Sequence, residues 1–409
     1  MLYDPTRHEP LACFDWDERA ALRTIEQIVS DAEARYSRAA HWPIHPLDAD
    51  GGESGPTFNL YFGASGVVWA LHYLQADGAV KLNRSYHEYA DTLLSLNRRW
   101  LNFQGDGDSE AASYLMGDTS ILMLSYWLSP SVEKAAQLEK LIAGNVDHPS
   151  RELMWGAPGT LLAALFLHQW TREPRWADLY VVTARKLWSQ LLLSPEYGCK
   201  YWSQDLYGRQ STSLDAVHGF VGTAAPVIKG RDLMGPGEWD AWEQCIVNTI
   251  KTTAVHQAGQ ANWPLFLYPP RQSRRPQDML MQFCHGAPGF VICLADLPTP
   301  DLDGDLLAGG EAIWAAGPLK KGSNLCHGTG GNGYAFLKLY GRTGDERWLA
   351  RARAFAMHGI AQTELHVRRY EQLRYSLWTG DLGFAIYLRD CIHGAGTFPT
   401  LETFFAQPR

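Results

Sequence analysis

Apolar residues along this chain fall into two alternating kinds of run. One kind is amphipathic, with apolar positions at helical spacing, as in Ala21, Leu22, Ile25, Ile28 and Val29 of the segment at about 17–36. Segments of the same kind lie near 85–103, 132–143, 175–193, 238–256, 304–316 and 346–362. The other kind is shorter and apolar nearly throughout: GVVWALHYL, SILMLSYWL, GTLLAALFL, GTAAPVIKG, GFVICLADL, GNGYAFLKLY and GFAIYLRDC. A helix apolar on all sides is buried, whereas one with a single apolar stripe lies outside it. Seven of each kind predict an all-α fold, an α/α toroid of seven inner helices ringed by seven outer ones.

A Gly-x-x-Gly signature opens each apolar run, at Gly63-Gly66, Gly156-Gly159, Gly219-Gly222, Gly286-Gly289, Gly328-Gly331 and Gly380-Gly383. A seventh copy begins at Gly117 and carries Ser120 at its last place. The first glycines are 39 to 67 residues apart, so a constant core is joined by variable loops, as in one repeated structural unit. The length of 409 residues allows two or three domains, but repeats running from about 17 to 392 favour one domain over 1–409. Glycine at the head of each inner helix permits a tight turn and close backbone approach. All seven motifs then share one end of the ring, and the residues just before each first glycine converge on one cavity. The loops 37–62, 194–217, 259–283 and 363–379 enter there, with 194–217 expected as a hairpin or irregular flap.

Composition narrows the function classes. The chain is 46% hydrophobic and 20% charged, as globular proteins are, and rich in tryptophan and glycine, which suits close-packed helices. A net charge of −8 excludes the basic footprint of a nucleic-acid partner. The start MLYDPTRHEPLACFDWDE has neither the basic beginning nor the apolar core of a signal peptide, and no apolar run reaches the roughly 18 residues of a membrane span. A cytoplasmic protein is expected, in which seven scattered cysteines serve metal binding or catalysis more readily than disulfides.

The candidate chemistry lies in two strings, FCHGAPG and LCHGTGG. Cys284 and Cys326 each stand two places before an anchoring glycine in adjacent repeats, and His218, His285 and His327 stand one place before theirs. Two thiolates and an imidazole suit Zn²⁺ with a fourth position open, which makes Cys284, Cys326 and His327 the ligand candidates. The alternative is a pair of packed thiols beside a core histidine. Coordination deprotonates a thiol near neutral pH, so thiol addition is favoured over hydrolysis at so thiolate-rich a metal. His285 is either a supporting or a structural residue. His218 is a candidate acid/base or a hydrogen-bonded core histidine. Glu152 orients an imidazole or takes a proton, or else is a solvated loop carboxylate. Lys320 and Lys321 precede the second doublet, where an ammonium would favour an anionic ligand or a developing enolate, unless it faces solvent. Arg271, Arg274 and Arg275 in YPPRQSRRPQD form either an anion-receiving rim or a solvated basic loop.

With FCHGAPG, KKGSNLCHGTGGNGYAFL and the seven glycine motifs together, the chain resembles the LanC superfamily over essentially its whole length. The resemblance implies an α/α toroid with one zinc held by two cysteines and a histidine, which map to Cys284, Cys326 and His327. The family's cavity histidine maps to His218 in VHGFVG, and its cavity acid to Glu152 in RELMWG. Lanthionine cyclases typically read Cys-Tyr-Gly at the first motif with an arginine four residues before that cysteine. Here the motif is Cys-His-Gly and the position is Leu280. The CHGAPG and KKG strings look like the glutathione-binding LanC-like branch, in which Lys321 would contact glutathione. That branch implies addition of glutathione to dehydroalanine or dehydrobutyrine residues of a peptide or protein, with His218, Glu152 and the surroundings of His327 handling protons. The alternatives are a lanthionine cyclase joining a dehydrated peptide's own cysteine thiol to the same acceptors, and a non-catalytic scaffold that binds glutathione or a protein.

Overall fold

The computed structural model describes residues 1–48, 55–104, 110–269 and 279–405. Among them are fourteen α-helices in alternating outer and inner order. The outer helices are α1 (Glu18–Arg35), α3 (His87–Gln104), α5 (Val132–Gly144), α7 (Pro174–Ser189), α9 (Pro236–Thr253), α11 (Asp303–Ala316) and α13 (Glu346–Tyr370). The inner helices are α2 (Ala64–Ala76), α4 (Asp118–Leu128), α6 (Ala157–Thr171), α8 (Phe220–Lys229), α10 (Ala287–Leu294), α12 (Thr329–Thr343) and α14 (Asp381–His393). Each inner helix touches the next, and α14 returns to α2, so the inner ring closes. Outer helices sit over the seams: α3 between α2 and α4, α5 between α4 and α6, α11 between α10 and α12, α13 between α12 and α14. The expected toroid is the observed fold.

The two helix kinds differ in burial as their patterns require. The first eleven residues of α6, Ala157 to Leu167, are all buried, whereas α5 buries only Ala135, Leu138 and Ile142 along one stripe.

Each motif's first glycine is the N-cap of its inner helix. Glycine has no side chain to close the turn, and in several repeats a polar residue four places earlier does so instead. Asn59 Oδ1 accepts from Phe62 N–H at 2.9 Å, and Asn324 Oδ1 accepts from His327 N–H at 3.0 Å. The second glycine allows the helix to approach the preceding turn: a Cβ on Gly331 would run into the Leu325 carbonyl oxygen. Gly286 alone among the N-caps has a positive φ, 104°, a conformation open chiefly to glycine.

Among the described residues, three short antiparallel hairpins interrupt the helices. β1 (Leu192–Leu193) pairs with β2 (Lys200–Tyr201), β3 (Gln204–Leu206) with β4 (Arg209–Ser211), and β5 (Val255–Gln257) with β6 (Gln260–Asn262). The hairpin expected within 194–217 is therefore β3–β4, turned by Tyr207 and Gly208 at positive φ. Two helix ends expected further on yield to strands, since α7 stops at Ser189 and α9 at Thr253. Conversely α13 runs to Tyr370, through a stretch read as loop. Its last turns expose Leu365 and Val367, so no buried stripe announces them.

The C-terminal segment fills the interior. Phe404 lies against Trp69, Tyr114, Phe166 and Trp170, and Phe398 stacks on Phe283. Glu402 pairs with the buried Lys338 at 2.5 Å.

Candidate metal centre

A collar of backbone hydrogen bonds links the residues two places before each first glycine. Tyr61 N–H donates to Leu115 O at 3.2 Å, Leu115 N–H to Met154 O at 3.3 Å, and Leu153 N–H, one place earlier, to Val217 O at 3.0 Å. On the other side, Cys284 N–H donates to Cys326 O at 3.0 Å, Cys326 N–H to Trp378 O at 2.8 Å, and Trp378 N–H to Tyr61 O at 3.0 Å. Adjacent turns in the same register thus hold their side chains side by side. The equivalence of Cys284 and Cys326 in neighbouring repeats is what brings their sulfurs together.

The two sulfurs and a ring nitrogen of His327 all lie within 4.8 Å of one another. A tetrahedral zinc with bonds of about 2.0–2.3 Å needs donor separations of about 3.5–3.8 Å, which small side-chain rotations reach from here. Cys326 is fully buried and Cys284 nearly so. Burial, with the second sulfur alongside, pushes the Cys284 thiol well above its ordinary value. Two thiolates in this place therefore require a compensating cation, and the donor set is one that can hold a metal ion.

Each sulfur also receives one donor. The Tyr61 hydroxyl donates to Cys326 Sγ at 2.7 Å, and Gln282 Nε2 donates to Cys284 Sγ at 2.9 Å. Burial, with both sulfurs nearby, holds the Tyr61 phenol far above its usual range, so it stays a donor. Arg7 Nη2 donates to Gln282 Oε1 at 2.9 Å. The N-terminal segment reaches this place by pairing with the stretch before the second doublet: Glu9 N–H donates to Pro318 O, and Lys320 N–H to Arg7 O, both at 3.0 Å.

Beside this cluster, His218 Nδ1 and Glu152 Oε2 are 2.8 Å apart. Glu152 is fully buried and also accepts from the backbone N–H groups of Met154 (3.0 Å), Trp155 (2.6 Å) and Gly156 (3.2 Å). Burial works against the imidazolium, but the hydrogen bond and charge of Glu152, with Asp215 and Cys284 adding to them, outweigh it and lift His218 to about 9. Glu152 is thus no solvated carboxylate. Asp215 takes the same place in the next repeat, accepting from Val217 N–H at 2.9 Å and His218 N–H at 2.6 Å. His285 Nδ1 lies 3.2 Å from Asp215 Oδ2, within ion-pair distance. His285 is turned toward Asp215 and stands outside the cluster of three donors. The β3–β4 hairpin adds Tyr207, whose ring stands edge-on to His218 and whose hydroxyl accepts from Trp155 Nε1 at 3.0 Å.

Of the lysines, Lys320 donates to Thr6 O at 2.8 Å, whereas the Lys321 ammonium is exposed and has no partner among the described residues. Arg271, Arg274 and Arg275 lie outside the described residues. Tyr61, Gln282, Arg7 and Asp215 were not singled out from the sequence, although register could have found three of them. Tyr61 stands two places before Gly63 as Cys326 does before Gly328, and Gln282 and Asp215 stand four places before their glycines as Glu152 does.

No described helix is long and apolar enough to cross a membrane. The chain is 28% identical over 354 residues to glutathione S-transferase LANCL1 of Danio rerio, covering 84% of each chain. It is 39% identical over 94 residues to LanC-like protein GCL1 of Arabidopsis thaliana, 22% of each chain. The profile of the lanthionine synthetase C-like proteins matches residues 17–403, nearly the whole length, and agrees with the fourteen-helix ring and its Cys-Cys-His cluster. The chain belongs to the lanthionine synthetase C-like protein family.

Proposed function

We propose that this protein adds a thiol to dehydroalanine or dehydrobutyrine residues of a peptide or protein, forming a thioether, and that the thiol is glutathione. The observation that carries the reading is the meeting of Cys284 Sγ, Cys326 Sγ and the His327 imidazole at one point. Glutathione is favoured by the name of the Danio rerio relative. Zinc held by these three residues would supply an open position at which a thiol ionises near neutral pH.

The remaining steps fall to the chain itself. As the substrate sulfur bonds to the β-carbon, the electron pair of the double bond moves onto the α-carbon and its carbonyl. A proton must then arrive at the α-carbon. His218 is protonated at neutral pH and engages Glu152 through Nδ1, which leaves Nε2 to donate that proton and solvent to restore it. Glu152 holds the imidazole in place and keeps it charged. Lys321 receives a carboxylate of glutathione, and Arg271, Arg274 and Arg275 serve anionic groups of either substrate. One toroidal domain over the full chain, working in a reducing cytoplasm, is consistent with the closed ring and seven unpaired cysteines.

The test follows the mass of a dehydrobutyrine-containing peptide mixed with zinc-loaded protein, with and without glutathione. A gain of one glutathione that requires the protein supports the reading. Loss of an internal cysteine thiol without an adduct marks a cyclase, and saturable glutathione binding without product marks a scaffold. Cys326→Ala is expected to lose both metal and turnover, and thioether formation by that metal-free variant would refute the mechanism.

A further inference from the structure

We infer that Tyr61 and Gln282 keep the protein's own two sulfurs from competing with the incoming thiol, an inference that rests on the reading above. An acceptor double bond brought beside the substrate sulfur is also within reach of Cys284 and Cys326. If either added, a carbon–sulfur bond would form at the β-carbon, a proton would go to the α-carbon, and the protein would be alkylated at its own metal site. What separates the three sulfurs is the state of their lone pairs.

The Tyr61 hydroxyl donates to Cys326 Sγ at 2.7 Å, and no other hydrogen bond of that hydroxyl exists among the described residues. Gln282 Nε2 donates to Cys284 Sγ at 2.9 Å. The amide is not at liberty to turn around. Arg7 can only donate, and its 2.9 Å contact to Gln282 Oε1 directs the NH₂ group at the sulfur. One donor is therefore aimed at each cysteine, Tyr61 at Cys326 and Gln282 at Cys284. A hydrogen bond to a thiolate draws off the charge that makes it nucleophilic, and Tyr61 has a single proton to give, which goes to Cys326 rather than to an incoming sulfur. Such outer partners orient and tune ligands generally.

The test uses the zinc-loaded full-length protein and N-ethylmaleimide, a neutral acceptor of the same reaction type. Alkylation is followed at each cysteine by peptide mapping and zinc release by a chromophoric chelator, with the exposed Cys13 as internal reference. Tyr61→Phe is expected to speed alkylation of Cys326 about tenfold and leave Cys284 unchanged, the rate equivalent of one charge-assisted hydrogen bond. Gln282→Leu is expected to do the reverse. Arg7→Met, which removes a residue that hydrogen-bonds to neither sulfur, is expected to follow Gln282→Leu. Unchanged rates, or both cysteines sensitised together in every variant as loosened packing would give, overturn the inference. A zinc-loaded protein that performs the thiol addition with unchanged cysteine reactivity sinks this inference alone, whereas a chain that takes up no zinc sinks the functional reading with it.

Discussion

Glu152→Gln tests the electrostatics around His218. The carboxylate lies 2.8 Å from His218 Nδ1, and His218 keeps only 19% of its side chain exposed, so solvent screens the pair weakly. Raising the imidazole from 6.5 to about 9 corresponds to roughly 3 kcal/mol in favour of its charged form in the folded protein. Because the folded value is the higher one, this stabilisation is fully present below about pH 6.5 and fades as the pH climbs through about 9. The variant keeps an acceptor for the backbone N–H groups but loses the charge. Its destabilisation, read from urea unfolding by tryptophan fluorescence, should therefore be larger near pH 6 than near pH 9.5, by up to about 3 kcal/mol, since Asp215 and Cys284 supply part of the shift. A loss of equal size at both pH values would refute the pairing. Activity offers the parallel reading. Thiol addition by the unaltered protein should decline above about pH 9, and by the variant already near the ordinary histidine range.

Further outcomes follow from packing and charge. Gly331→Ala drives a methyl into the Leu325 carbonyl one residue from Cys326, so it should cost several kcal/mol in thermal unfolding and lower the bound metal measured by elemental analysis. Phe404→Ala empties a fully buried site among Trp69, Tyr114, Phe166 and Trp170, for which about 3–5 kcal/mol is expected in chemical denaturation. Lys321→Ala removes an exposed ammonium, so the KM for glutathione should rise several-fold with folding and metal content unchanged; an unaltered KM would remove Lys321 from the binding site.

Period and glycine spacing by themselves determined the architecture, because both are local. A fully apolar run must be inside and a striped one outside, whatever else the chain does. Glycine at each helix start sets the turn before it, so the register of every repeat is written in its own few residues. That register placed Cys284 and Cys326 at equivalent positions of neighbouring repeats, and the collar of hydrogen bonds turned this equivalence into contact. It also put His218 and Glu152 at one end of the ring, though not their 2.8 Å contact. The end of α13 is not legible in the sequence because its last turns bury no stripe, nor is β5, because a three-residue strand carries no period. Only the closed ring decided what faces the cluster from outside its own repeats. Tyr61 meets Cys326 across 265 residues because α14 packs on α2, and Arg7 reaches Gln282 across 275 because the N-terminal segment pairs with the stretch before the second doublet. Contacts of that kind depend on how the last repeat meets the first, which no window of sequence contains.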